Sequence, residues 1–120
     1  MVTLEMFKNV PTGRPFHAGE KIFNLGEVGD RMYVVLSGTV RLSVRERVLE
    51  LVGPGQAFGE LALIDDGPRS ADAVAVTDVE LVEIDEERFR NLVRGHPGFS
   101  LQVMRVLADR LRHVRDRIAA

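Results

Sequence analysis

The 120-residue sequence has no cysteine and only three histidines, His17, His96 and His113, scattered along its length. Without thiols the fold can use neither a disulfide nor a thiolate metal site. A barrel enzyme built on a histidine-rich metal centre would want its ligands clustered at short spacing on neighbouring strands, and these are not, so no metal is expected. No Ser/His/Asp arrangement surrounds a nucleophile turn. There is no apolar run long enough to span a bilayer and no basic, apolar leader, which makes the cytoplasm the expected compartment. Net charge is scarce too. At a formal -2, no whole-molecule field draws the chain onto nucleic acid or an anionic membrane.

What the sequence does have is 45% apolar residues, enough for one core in a chain of this size, and a single domain is expected over 1–120. From Arg14 to about Ile84, glycine turns cut the chain into short β-rich runs. They are Lys21 to Asn24, Met32 to Ser37, Thr39 to Val44, Val48 to Val52, Ala73 to Val76, and Val79 to Ile84. That spacing predicts an antiparallel barrel or jelly roll, with Arg45-Glu46-Arg47 as a short hairpin tip. After Ile84 the pattern changes. Asp85-Glu86-Glu87 places acids at a helix start, and Phe89, Leu92 and Val93 recur at helical spacing until Gly95-His96-Pro97. From Gly98 onward, Val103, Leu107, Leu111, Val114 and Ile118 share one face of a longer helix.

The stretch from Phe58 to Ala71, FGELALIDDGPRSA, carries the chemistry. Val52-Gly53-Pro54-Gly55-Gln56 turns sharply into residues that favour a short helix, whose first N–H groups suit an anion. Gly59 allows close approach of a ligand, and Pro68 fixes the entry of Arg69 and Ser70 into the next strand. A guanidinium and N–H donors suit a phosphate, whereas the Glu60 carboxylate accepts only and wants a hydroxyl. A small nucleotide fits that pair better than inorganic phosphate. Taken singly, Glu60 also reads as a helix-capping acid, and Arg69 as a loop residue paired with Asp65 or Asp66.

FGELALIDDGPRSA resembles the phosphate-binding cassette of the cyclic nucleotide-binding domains found in catabolite activators, cyclic-nucleotide-dependent kinases and gated channels. The likeness extends upstream through Phe16 to Glu20 and Gly26 to Val35, and downstream through the terminal helices. It implies a β-roll of jelly-roll type over about 14–84, with short helices at its start and two helices over about 85–120. Glu60 would take the ribose 2′-hydroxyl and Arg69 the cyclic phosphate, helped by Gly59, Ser70 and the N–H groups around Leu61, Ala62 and Ala71. Asp30 resembles the acid that steadies the arginine. Asp72 departs from the pattern, standing where many relatives have an uncharged residue, and turned inward it would oppose the phosphate.

The expected function is reversible, non-catalytic binding of cyclic AMP, with cyclic GMP second, by a small stand-alone regulatory module that signals by repositioning its C-terminal helix. No base or nucleophile is placed for hydrolysis, and no cofactor beyond the ligand is implied. Two other readings stand beside it: the sensing domain of a catabolite-activator-like transcription regulator, without its DNA-binding part, and a surface-acting protein with a silent pocket. The last helix carries Arg105, Arg110, Arg112, Arg115 and Arg117 against Asp109 and Asp116. A solvated face explains this excess near a helix C-terminus, so no direct DNA binding is expected from it. Its apolar stripe reads first as core packing, though a small barrel offers limited surface to cover it; the resemblance implies a homodimer, because this helix is where members of that family pair, and the downstream protein is left open.

Overall fold

The computed structural model describes residues 4–7, 10 and 13–119, except the side chains of 114 and 117–119. Among these residues, eight strands form two antiparallel four-stranded sheets. In the first, β1 (Arg14–Phe16), β8 (Val79–Asp85), β3 (Arg31–Ser37) and β6 (Ala57–Phe58) lie in that order, and in the second, β2 (Lys21–Phe23), β7 (Asp72–Ala75), β4 (Val40–Val44) and β5 (Arg47–Val52). This is the expected β-roll followed by helices. A short 3-10 turn, Glu5–Phe7, precedes it, and α1 (Leu61–Ile64) interrupts it. After the roll come α2 (Glu86–Gly95) and α3 (Phe99–Ala119). Two strands lie outside the runs read from the sequence. β1 contains Pro15 and sits at a sheet edge, where proline's missing donor is tolerated. β6 has only two residues, too few to show a period.

The apolar residues sort into two clusters on opposite faces of β3. Tyr33 and Val35 point into the roll with Phe23, Phe58 and Leu81, while Met32 and Val34 point out, under the helices, with Ile84, Phe99, Val103 and Val106. Both faces of β3 are therefore covered, which is why its sequence is almost unbroken in apolar residues. Asp85 starts α2, its Oδ1 accepting the Arg88 N–H at 2.9 Å, as the acidic start implied. Phe89 and Leu92 pack inward while Val93 is exposed. α3 is anchored at its first residue, because the Phe99 ring meets Phe89 and Phe7 edge-on at 5.3 and 6.4 Å. Burying that ring contributes about 1.5–3 kcal/mol.

The packed face of α3 differs from the expected one. Phe99, Val103 and Val106 are buried, whereas Leu111 is 70% exposed; the side chains of Val114 and Ile118 lie outside the described residues. Of the stripe read from Val103, Leu107 and Leu111, only Val103 lies on the packed face, while Leu107 is half-buried and Leu111 exposed, because Phe99, the true anchor, sets the register. At the tip between β4 and β5, the two turn residues Arg45 and Glu46 have φ of 48° and 70°. These left-handed values match the twist favoured in two-residue hairpins, here without the usual glycine or asparagine.

Candidate functional site

Between β2, the β4–β5 pair, the cassette and α3 lies a cavity of about 440 Å³. Gly59, Glu60, Leu61, Ala62, Arg69, Ser70 and Ala71 all line it. Sequence reasoning missed six further lining residues: Phe23, Leu42, Leu49, Glu50 and, from α3, Arg110 and His113.

Arg69 enters from the turn before β7 and is 6% exposed. Its Nη1 donates to Gly59 O at 3.0 Å and its Nη2 to Arg31 O at 2.8 Å. The guanidinium carbon stands 4.1 Å from the centre of the Phe23 ring. Among the described residues no carboxylate pairs with it, and its Nε is buried without a partner. Burial pushes its pKa down, partly offset by Tyr33 and Asp30, yet an arginine keeps its proton throughout the working range. The pairing with Asp65 or Asp66 does not form. Asp65 Oδ1 instead accepts the Gly67 N–H at 2.9 Å.

Glu60 is 3% exposed. It occupies the position before α1 with helical φ and ψ, and its side chain caps nothing, which removes the capping reading. It bonds Arg110 Nη1 instead. The same guanidinium donates from Nε to Glu50 Oε2 at 3.0 Å and from Nη2 to Ala57 O. Burial alone would depress Arg110, but the charges of Glu60 and Glu50 outweigh it and hold its pKa above the ordinary value. Arg110 is therefore not part of a solvated basic face, and the expectation for that residue is corrected. A signal was present: Phe99, Val103, Val106 and Arg110 follow one another at steps of four, three and four, so the arginine takes the next inward position.

Asp30 does not bond Arg69. It pairs with its neighbour, Arg31, at 2.8 Å from Nε and 3.2 Å from Nη2, and that hydrogen bond lowers its pKa. Adjacency wins because Arg31 reaches back to it while also holding Glu83 at 3.0 Å. Asp72 faces away from the cavity: its Oδ1 accepts the Leu25 N–H at 2.8 Å and lies 3.7 Å from Lys21 Nζ. Its charge is thus spent outside, and it does not oppose an anion in the cavity.

An antiparallel roll that holds a buried, acid-free arginine over an apolar-walled cavity, with a buried carboxylate opposite, defines a binding domain for a small anion bearing hydroxyls. The family profile described as "Cyclic nucleotide-binding domain" matches residues 13–96, and the chain belongs to that family. It is 38% identical over 109 residues to the CRP-like cAMP-activated global transcriptional regulator of Mycobacterium tuberculosis, covering 87% of this chain and 49% of that protein. It is 43% identical over 104 residues to the cyclic AMP receptor protein of Thermus thermophilus, covering 82% of this chain and 48% of that one. The crystal structure of the Thermus thermophilus catabolite activator protein superposes with a TM-score of 0.79 at 40% identity, over 88% of this chain and 52% of that chain. The chain thus spans about half the length of these relatives. No helix among the described residues is long and apolar enough to cross a membrane.

Proposed function

We propose that this chain binds a cyclic nucleotide, cyclic AMP before cyclic GMP, performs no chemistry on it, and acts as the sensing domain of a transcription regulator. The observation that carries the ligand class is Arg69, a guanidinium buried at 6% exposure with no acid to compensate it. Burying an uncompensated charge is costly, so its place beside a cavity supports an anionic partner. Arg69 then takes the cyclic phosphate with Ser70 and the N–H groups of Leu61, Ala62 and Ala71, Gly59 lets it approach, and Glu60 accepts from the ribose 2′-hydroxyl. Asp30 acts on Arg69 only through its charge. Residues 1–120 work as one unit, with the cassette at 58–71. The relatives named above are regulators, and that favours the sensing-domain reading over a module acting alone. Through the exposed apolar face of α3 the chain pairs with a second copy, and it makes no direct contact with DNA; its downstream protein is whichever part reads the position of α3.

Charge decides between cyclic and linear nucleotides. Arg110 is more than balanced by the two acids Glu50 and Glu60, so among the described residues Arg69 is the one uncompensated cation lining the cavity. It matches the single charge of a cyclic phosphodiester, whereas a phosphomonoester carries about -1.5 to -2 near neutral pH. Calorimetry with cyclic AMP, cyclic GMP and 5′-AMP tests this: cyclic AMP should bind and 5′-AMP should bind far more weakly. Arg69→Ala should weaken cyclic AMP roughly ten- to hundredfold, the worth of a charge-assisted bond. Unchanged affinity in the folded variant would remove Arg69 from the site.

A further inference from the structure

The segment between β2 and β3 grips Arg69 through backbone alone. Gly26 N donates to Arg69 O at 2.8 Å, and Arg69 N donates to Glu27 O at 2.8 Å. Four residues beyond Glu27, Arg31 O accepts from Nη2. Between these contacts Gly29 lies against the guanidinium itself. A Cβ built there would fall 2.5 Å from Cζ, 2.9 Å from Nη2 and closer still to Nε. Real Cβ contacts are never that short, so any side chain at Gly29 must displace the arginine. On the other side a Cβ at Gly59 would fall 2.7 Å from Nη1. The two glycines differ in one respect. Gly59 has φ of 77°, which itself demands glycine, while the φ of Gly29 lies outside the left-handed range, so the backbone accepts alanine.

We infer that Gly29 is a positioning residue for ligand binding: its missing side chain forms the slot that aims Arg69 into the cavity. The inference rests on the phosphate role given to Arg69 above. The solitary Nε, buried without a partner, is among the atoms that a Cβ at Gly29 would meet. Since the arginine is a flexible side chain and the backbone is permissive, Gly29→Ala shifts Arg69 while leaving the roll intact. The slot thus replaces an acid as the means of orientation, and it leaves the full charge of Arg69 for the ligand.

The test is a double-mutant cycle. Cyclic AMP binding is measured by calorimetry for the parent, Gly29→Ala, Arg69→Lys and the double variant, with melting temperatures alongside. Gly29→Ala should keep the melting temperature near the parent's and weaken binding at least about tenfold, the scale of one misaligned charge-assisted bond. In the Arg69→Lys background the same substitution should change little, because a lysine has no planar fork to displace. A merely structural glycine would instead weaken both backgrounds equally. The Nε–H resonance of Arg69, assigned by its loss in Arg69→Lys, gives a readout that needs no ligand, and it should move in Gly29→Ala. A Gly29→Ala protein with parental affinity, or an unmoved Nε–H signal, would overturn the inference. A parent that binds neither cyclic AMP nor cyclic GMP would overturn the reading beneath it as well.

Discussion

Glu60 lies at the meeting point of two demands. It holds Arg110 through one bond, and as a carboxylate it has further lone pairs for a sugar hydroxyl. We therefore expect 2′-deoxy cyclic AMP to bind more weakly than cyclic AMP, because a desolvated carboxylate facing no hydroxyl loses its hydration without replacement. Glu60→Gln should narrow that gap. The difference between the two ligands is the quantity to follow in a titration, since it is blind to any general loosening of α3. Equal binding of both ligands by the parent would remove the ribose contact. Glu60 and Arg69 could be found in the sequence because local chemistry announces them: a glycine before the acid and a proline before the arginine. Arg110 could not be found by the same means. Its partners Glu60 and Glu50 are 50 and 60 residues away along the chain, and only the fold brings them together. Asp30 failed in the opposite direction, with a neighbour one residue away taking the bond expected of a distant one.

α3 is the element that joins the cavity to the rest of the protein. Phe99 fixes its start among aromatic rings, and Arg110 ties it, three turns on, to the rim of the site. A ligand that engages Glu60 must alter the terms on which Arg110 is held. It shifts α3 only by its differential affinity for the helix positions available. Cyclic AMP should therefore slow amide exchange in the cassette around Gly59 to Ala71 and also in α3 around Val103 to Val114. Protection confined to the cassette, with α3 unchanged, would break this link between pocket and helix. The elements themselves were legible wherever a β-rich run between turns extends over five or more residues, as in β3, β4, β5 and β8. They were illegible where pairing alone defines a strand. β6 has two residues and β1 has three, and each is held by the register of a longer neighbour, Tyr33↔Phe58 in one case and Arg14↔Leu81 in the other. The facing of α3 failed for a related reason, since two stripes run along it and only the position of Phe99 shows which one packs inward.

At the scale of the whole molecule, the second stripe of α3 is still exposed. Leu101, Met104 and Leu111 are 47%, 56% and 70% exposed, on a helix whose other side is already packed. If a second copy covers them, sedimentation velocity should report a dimer for the parent, and Leu111→Lys should shift it toward the monomer. Such a charge would have to be buried in the interface at a cost of several kcal/mol. A parental monomer at micromolar concentration would exclude the pairing. The two apolar clusters on either side of β3 carry a different consequence, one for how the sequence can drift. A strand open to water on one face can accept change at every other residue. β3 has no such relief: Met32, Tyr33, Val34 and Val35 are each no more than 5% exposed, two packed inside the roll and two under the helices. A map of substitution tolerance along the chain would show an unbroken dark band at those four positions, whereas β5, with exposed Val48 and Leu51 beside buried Val52, would stay permissive over much of its length.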